Sequence, residues 1–163
     1  MQFDLKAKIF SDFDSFKKTL SEWRSQGEQI VFTNGCFDII HHGHVDSLQK
    51  SAELGSKLIV GLNADQSVEL LKGKNRPIFK VEARAIILAA FGFVDAVIIF
   101  CEDTPARLIE QIIPDVLVKG NQYKICEIVG HDTVLAHGGK VIALDMVDEV
   151  STSEIIYKIK QLE

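Results

Sequence analysis

Three histidines fall within four positions, His41, His42 and His44, with Gly43 between the last two and Asp38 three residues ahead of His41. Imidazoles so spaced serve zinc ligation, the handling of a phosphate or proton, or nothing beyond a polar entry to a helix. Zinc takes four ligands. Cys36, His41 and His44 lie close together, but the chain has no Cys-x-x-Cys pair and no second cluster to complete a tetrahedron, so no metal ligands are assigned. Phosphate suits the pattern better. A helix opening at a glycine presents free N–H groups and a positive dipole end, His44 stands at that anion site, and glycine lets the backbone that carries His41 approach the same point. Neutral or protonated, two such rings offer N–H donors to a phosphoryl centre gaining charge, and neither has to be a nucleophile.

The elements that must position this loop follow from the apolar pattern. Residues 29–34 (QIVFTN) form a buried strand, and the loop leads into a helix carrying Val45, Leu48 and Ala52 on one side and ending at Gly55. Residues 57–63 (KLIVGLN), 94–100 (VDAVIIF), 115–120 (DVLVKG) and 140–144 (KVIAL) are further strands. Helices are predicted in residues 64–71, 81–92, 105–113 with Thr104 as N-cap and Pro105 at N1, somewhere in 126–139, and in 151–161. A first helix, capped by Ser11 or Asp12 and carrying Phe13, Phe16, Leu20 and Trp23, ends at Gly27. Five strands alternating with helices predict an α/β fold, a Rossmann-like doubly wound parallel five-stranded sheet with an extra N-terminal helix. Residues 1–163 are expected to be one domain, with 1–27 as a helical extension packed on it.

Composition narrows the class. The 163 residues are 47% hydrophobic and 25% charged, with three prolines, which describes a globular chain folded nearly end to end. A net charge of −5, with no long basic run, argues against nucleic acid or an anionic membrane as partner. The longest apolar stretch, residues 85–100, is broken by Gly92 and Asp95 and is too short to span a bilayer. The N-terminus lacks a signal-peptide core, and Cys36, Cys101 and Cys126 are odd in number and widely spaced. Together these predict a cytoplasmic protein, with Cys101 and Cys126 as buried thiols. In a doubly wound sheet, ligands bind outside the carboxyl ends of the strands. Those ends are TNGCFD, LNADQ, CEDTP, VKGNQY and DMVDEVSTS, and the histidine loop is among them.

On these residues the chain resembles a known family. TNGCFDIIHHGH is similar to the His-x-Gly-His signature of the nucleotidyltransferase superfamily, with His41, Gly43 and His44 as its fixed residues. The blocks VGLNADQSVELLKGKNRPI, FVDAVIIFCEDTP, IIPDVLVKG, EIVG and STSEII, in that order, more narrowly resemble the adenylyltransferase of ADP-heptose synthesis. Bifunctional members also carry a sugar-kinase domain, for which 163 residues leave no room, so the transferase is expected as a separate polypeptide. The resemblance implies transfer of AMP from ATP to D-glycero-β-D-manno-heptose 1-phosphate, with magnesium on the triphosphate as the cofactor and a homodimer as the assembly.

The resemblance also assigns roles. His41 and His44 would act on the α-phosphate, with Lys72 and Lys74 as further catalytic cations and Arg76 on the substrate phosphates. Thr33, Asn34, Gly35, Cys36, Phe37 and Gly43 would cradle the nucleotide, Phe37 serving equally well as core. Asp38 would order the site, through water on magnesium or by holding the loop. Arg84 either reaches the same phosphates or pairs with Glu82 or a distant carboxylate. Lys119, Gly120 and Asn121 would contact the nucleotide and Gln122 the sugar, although Asn121-Gln122 replaces the Gly-Asp common in the family. Ser151, Thr152 and Ser153 would hold a phosphate, cap the last helix, or both. Two other readings stand beside this one: a cytidylyltransferase acting on glycerol 3-phosphate or ethanolamine phosphate, and a nucleotide-binding regulatory module without turnover.

Overall fold

β-Branched and leucine-rich runs become strands here because both of their faces are covered. The computed structural model describes residues 4–120, 122–145 and 151–162. Its strands are β1 (Ile9–Phe10), β2 (Ile30–Gly35), β3 (Lys57–Asn63), β4 (Ala96–Phe100), β5 (Val116–Gly120) and β6 (Lys140–Leu144). The helices are α1 (Phe13–Ser25), α2 (His42–Ala52), α3 (Asp65–Lys72), α4 (Val81–Ala89), α5 (Ala106–Ile112), α6 (His131–Ala136) and α7 (Thr152–Lys160). All strand pairs are parallel, in the order β1-β4-β3-β2-β5-β6.

The sheet has six strands where periodicity predicts five. β1 is two residues long, too short for alternation to register, and pairs Ile9 with Val97 and Phe10 with Ile98 at the edge. Helix α5 begins one residue later than predicted, with Pro105 itself as N-cap. Cys101 and Cys126 are exposed, which corrects their expected burial: both sit on connections beyond the apolar run of their elements.

Alternation along each strand divides the interior in two. Ile30, Phe32, Ile59, Ile98 and Leu117 face α1, α5 and α6 through Phe16, Leu20, Leu108, Ile109, Ile112 and Val134. Val31, Leu58, Val60, Val97 and Val116 face α2 and α4 through Leu48, Ala85, Leu88 and Ala89. The chain winds from β2 through β3 to β4, then returns to lay β5 on the other side of β2. Strand order therefore reverses at β2. There β2 and β5 pair at only two positions, Val31 with Val116 and Phe32 with Leu117, so their carboxyl ends part and open a crevice.

Candidate active site

The crevice leads into a cleft of about 740 Å³ walled by the exits of β2, β3, β4 and β5 and by the start of α7. Beyond the last β2–β5 pair, the ammonium of Lys119 donates to the backbone oxygen of Asn34 at 2.8 Å, replacing the ladder bond the parted strands no longer make.

β2 ends in a forced turn. Phe37 has φ +45°, a conformation costly for a bulky residue. A Cβ on Gly35 would lie 3.0 Å from its ring. The turn sends the Phe37 ring into the core beside His44, with ring centroids 5.3 Å apart. Phe37 is thus both core residue and cleft wall.

His41 is the N-cap of α2, and His44 is its third residue. Their rings stack at 3.8 Å with 30° between planes. Nδ1 of His44 accepts the backbone N–H of His41 at 3.4 Å. Burial, reinforced by the neighbouring His41, holds the His44 pKa down at about 4, and burial followed by repulsion from His42 lowers that of His41. A neutral ring whose Nδ1 accepts carries its proton on Nε2, so His44 is a neutral N–H donor. Nδ1 of His41 is enclosed and has no partner among the described residues, an unsatisfied group of the kind that accumulates at functional sites.

Asp38 has almost no exposed surface, and its carboxylate is fully engaged. It accepts the N–H of Ile78 at 2.8 Å, the N–H of Phe79 at 2.9 Å and Nε of Arg76 at 2.6 Å. Burial would raise its pKa, but the Phe79 and Ile78 amides and the Arg76 guanidinium outweigh it and leave the group below the usual carboxylate range. Of the two roles open to Asp38, the geometry is that of holding the loop.

Arg84 corrects its assignment to the substrate. Its guanidinium is fully buried and spent within the protein. Nε donates to the Phe79 oxygen at 2.9 Å, Nη1 to the Cys36 oxygen at 2.6 Å and the Asn63 oxygen at 2.8 Å, and Nη2 pairs with Asp65 at 2.8 Å. It ties the exits of β2 and β3 to the end of the basic loop and does not line the cleft. The distant carboxylate left open by the sequence is Asp65, because Glu82 lies on another face of α4.

The other assigned residues divide. Asn34, Gly35, Cys36, Phe37, Asp38, His41, His44, Lys72, Arg76, Lys119, Gln122, Ser151, Thr152 and Ser153 all line the cleft. Thr33, Gly43, Lys74 and Gly120 do not. Thr33 and Gly43 are buried behind the wall, while Lys74 points to solvent because the loop turns there. Asn121 lies outside the described residues. Ser151 caps α7, accepting the Glu154 amide at 3.1 Å, and Thr152 Oγ1 donates to the Ile39 oxygen at 3.2 Å, pinning α7 to the histidine loop. Burial lowers the Lys119 pKa to about 8, with Cys36 opposing and Lys72 adding to the effect. Burial also pushes the Cys36 thiol up, against Lys72, Arg84, Lys119 and Arg76, so no thiolate nucleophile stands in the cleft. The wall contains residues that the sequence assignments omitted, among them Asn63, Asp103, Thr104, Tyr123 and Glu127. All but Glu127 lie in strand-exit segments that the carboxyl-end rule selects; Glu127 sits on a 3₁₀ turn and opens the EIVG block, a signal from which no site role was assigned.

The chain is similar to known proteins. Residues 32–158 match the cytidylyltransferase-like family. The chain is 54% identical over 142 residues to the bifunctional protein HldE of Azotobacter vinelandii, covering 87% of this chain and 30% of that protein. To HldE of Haemophilus ducreyi it is 52% identical over 149 residues, covering 91% and 31%. The chain thus spans less than a third of the length of these curated relatives. A lipopolysaccharide core biosynthesis protein of Thermoplasma volcanium has a similar crystal structure, with TM-score 0.65, 25% identity, and coverage of 75% of this chain and all of that one. Since the matched span runs from β2 into α7 and takes in the stacked histidines, the basic loop and the Lys119 strand exit, the chain belongs to the cytidylyltransferase-like family.

Proposed function

We propose that the protein is an adenylyltransferase that joins ATP to D-glycero-β-D-manno-heptose 1-phosphate, giving ADP-heptose and pyrophosphate in the cytoplasm. The observation that carries this reading is the stacked pair His41 and His44 at the strand-order reversal, with a neutral N–H donor facing a cleft lined by Lys72, Arg76 and Lys119. The choice of substrates is supported by the half-identity to proteins named HldE and by the motif blocks described above.

The reaction is an in-line displacement at the α-phosphorus. A phosphate oxygen of the acceptor forms the new P–O bond, the bond from the α-phosphorus to the bridging oxygen breaks, and pyrophosphate leaves with that electron pair. His44 Nε2–H donates to a non-bridging α-oxygen as charge grows on it, and because the ring is neutral it gives up no proton. Lys72 and Arg76 balance the departing pyrophosphate. A magnesium ion bound to the triphosphate would supply charge to offset part of that on its oxygens, with Lys72, Arg76 and Lys119 offsetting the rest. The donor set fits an ion held mainly by phosphate oxygens and water, since Asp38 is spent on the loop and no group of three potential metal-binding side chains occurs among the described residues.

The test is turnover of ATP and heptose 1-phosphate with magnesium, followed by released pyrophosphate. The four nucleoside triphosphates are compared, since a preference for CTP with glycerol 3-phosphate or ethanolamine phosphate would replace this reading with the cytidylyltransferase one. We further propose a homodimer. Exposed Tyr157, Ile159 and Leu162 on and after α7 supply apolar surface for it, and light scattering at micromolar concentration tests it. No helix among the described residues is long and apolar enough to cross a membrane.

A further inference from the structure

The polar groups of the cleft differ in whether the protein already uses them. Asp38, Asn63 and Thr152 are hydrogen-bonded within the fold. Asp103 and Thr104, between β4 and α5, line the same cleft, and their side chains have no hydrogen-bond or ion-pair partner among the described residues. A carboxylate is a poor neighbour for a triphosphate, so its place in a cleft lined by cations calls for a ligand part that donates hydrogen bonds.

Topology says which part. The basic loop precedes α4, on the α2–α4 face of the sheet, whereas Asp103 and Thr104 open α5, on the opposite face. In-line displacement places attacking and leaving oxygens on opposite sides of phosphorus. With pyrophosphate drawn to Lys72 and Arg76, the acceptor comes from the α5 side. The nucleoside is left the β5 side, where the ring of Tyr123 offers a stacking surface.

We infer that Asp103 and Thr104 form the subsite that binds the hydroxyl groups of the acceptor, which makes the acceptor a polyhydroxylated phosphate such as a sugar 1-phosphate. This rests on the transferase reading and deepens it. A carboxylate accepts from two adjacent hydroxyls and a threonine hydroxyl from a third, so acceptors with few hydroxyls bind weakly.

The experiment measures KM for ATP and for each acceptor (heptose 1-phosphate, mannose 1-phosphate, glycerol 3-phosphate) in wild type, Asp103→Ala and Thr104→Val, with melting curves to confirm folding. Expected is a rise in acceptor KM of about 10- to 100-fold for Asp103→Ala and less for Thr104→Val, with KM for ATP within about twofold of wild type and discrimination between the sugar phosphates and glycerol 3-phosphate reduced. If the variants raise KM for ATP instead, or change neither KM, the subsite is overturned while the transferase reading stands. Wild-type protein inactive with every acceptor overturns both, and binding of magnesium-ATP by calorimetry then shows whether the nucleotide half of the reading survives.

Discussion

At the scale of single residues, the burial that lowers the pKa of His44 links its chemistry to stability. His44→Ala removes one preorganised donor at the reacting phosphate and should reduce kcat about 10²- to 10³-fold with the fold intact; full activity in folded variant would return the histidines to a structural role. The same depressed pKa gives an acid prediction. Between about pH 4 and 6.5 the unfolded chain binds a proton on His44 that the folded chain does not, so stability is complete above 6.5 and falls as pH drops. From 6.5 to about 4, at 1.36 kcal/mol per pH unit, the loss approaches about 3 kcal/mol, read from urea midpoints across that range, and His44→Ala should flatten the slope. Lys119 gives the opposite trade. Its ammonium, charged below about pH 8 and buried against Asn34, opposes folding at neutral pH but serves an anionic ligand. Lys119→Met should raise Tm and weaken magnesium-ATP binding, and wild-type affinity should fall above pH 8 as the charge is lost; a lower Tm with unchanged binding would make Lys119 purely structural. The histidines were legible because their spacing is local. The partners that decide the roles of Asp38 and Lys119 are not, since Ile78 and Phe79 are about 40 residues from Asp38 and Asn34 is 85 from Lys119.

At the scale of elements, the basic loop is less free than three cations around a glycine suggest. Its second half is fastened at two points, by Asp38 to the Ile78 and Phe79 amides and by Arg84 to the Phe79 oxygen, while the segment around Lys74 is exposed. The movable part is therefore Gly73 to Asn75, and closure swings Lys74, with Lys72 held in the last turn of α3 and Arg76 held by Asp38. Asp38→Asn turns an acceptor into a donor facing two N–H groups and should cost about 2–3 kcal/mol, speed proteolysis at Lys74 and lower kcat/KM. Magnesium-ATP should slow cleavage in wild type more than in the variant; equal cleavage in both would show that the latch does not set the loop. Arg84 shows why sequence misplaces such residues. A cation one turn into the helix that follows a phosphate loop looks like a ligand contact, and only the convergence of three backbone oxygens and Asp65 on its buried guanidinium reveals an internal tie. Two caps were legible by contrast, Asp12 accepting the Ser15 amide and Ser151 the Glu154 amide, because such capping is decided within four residues, whereas Thr104 does not cap α5.

At the scale of the whole molecule, the sheet separates stability from chemistry. The order of strands and helices was legible from periodicity, and the carboxyl-end rule then located the cleft before any side chain was placed. The sixth strand was not, because two residues carry no period and β1 is held by what packs around it. Phe10 meets Phe16 edge-on at 4.9 Å, Phe16 meets Trp23 at 5.4 Å, and Arg24 at the end of α1 pairs with Asp115 at 2.6 Å at the start of β5. Asp115 in turn accepts the Ile30 amide at 2.7 Å, so the N-terminal helix is fastened to the amino ends of the two strands whose carboxyl ends form the crevice. Phe16 is fully buried and lines no part of the cleft. Phe16→Ala should leave a cavity costing about 3–5 kcal/mol and lower Tm by roughly 10 °C, while kcat/KM per folded molecule, measured well below the transition, stays within about twofold of wild type. The comparison discriminates because His44→Ala predicts the reverse pair of changes. A Phe16→Ala protein that melts normally would mean that α1 is an appendage, and one that melts early and also loses kcat/KM while folded would mean that the crevice is shaped from the far end of β2 and β5.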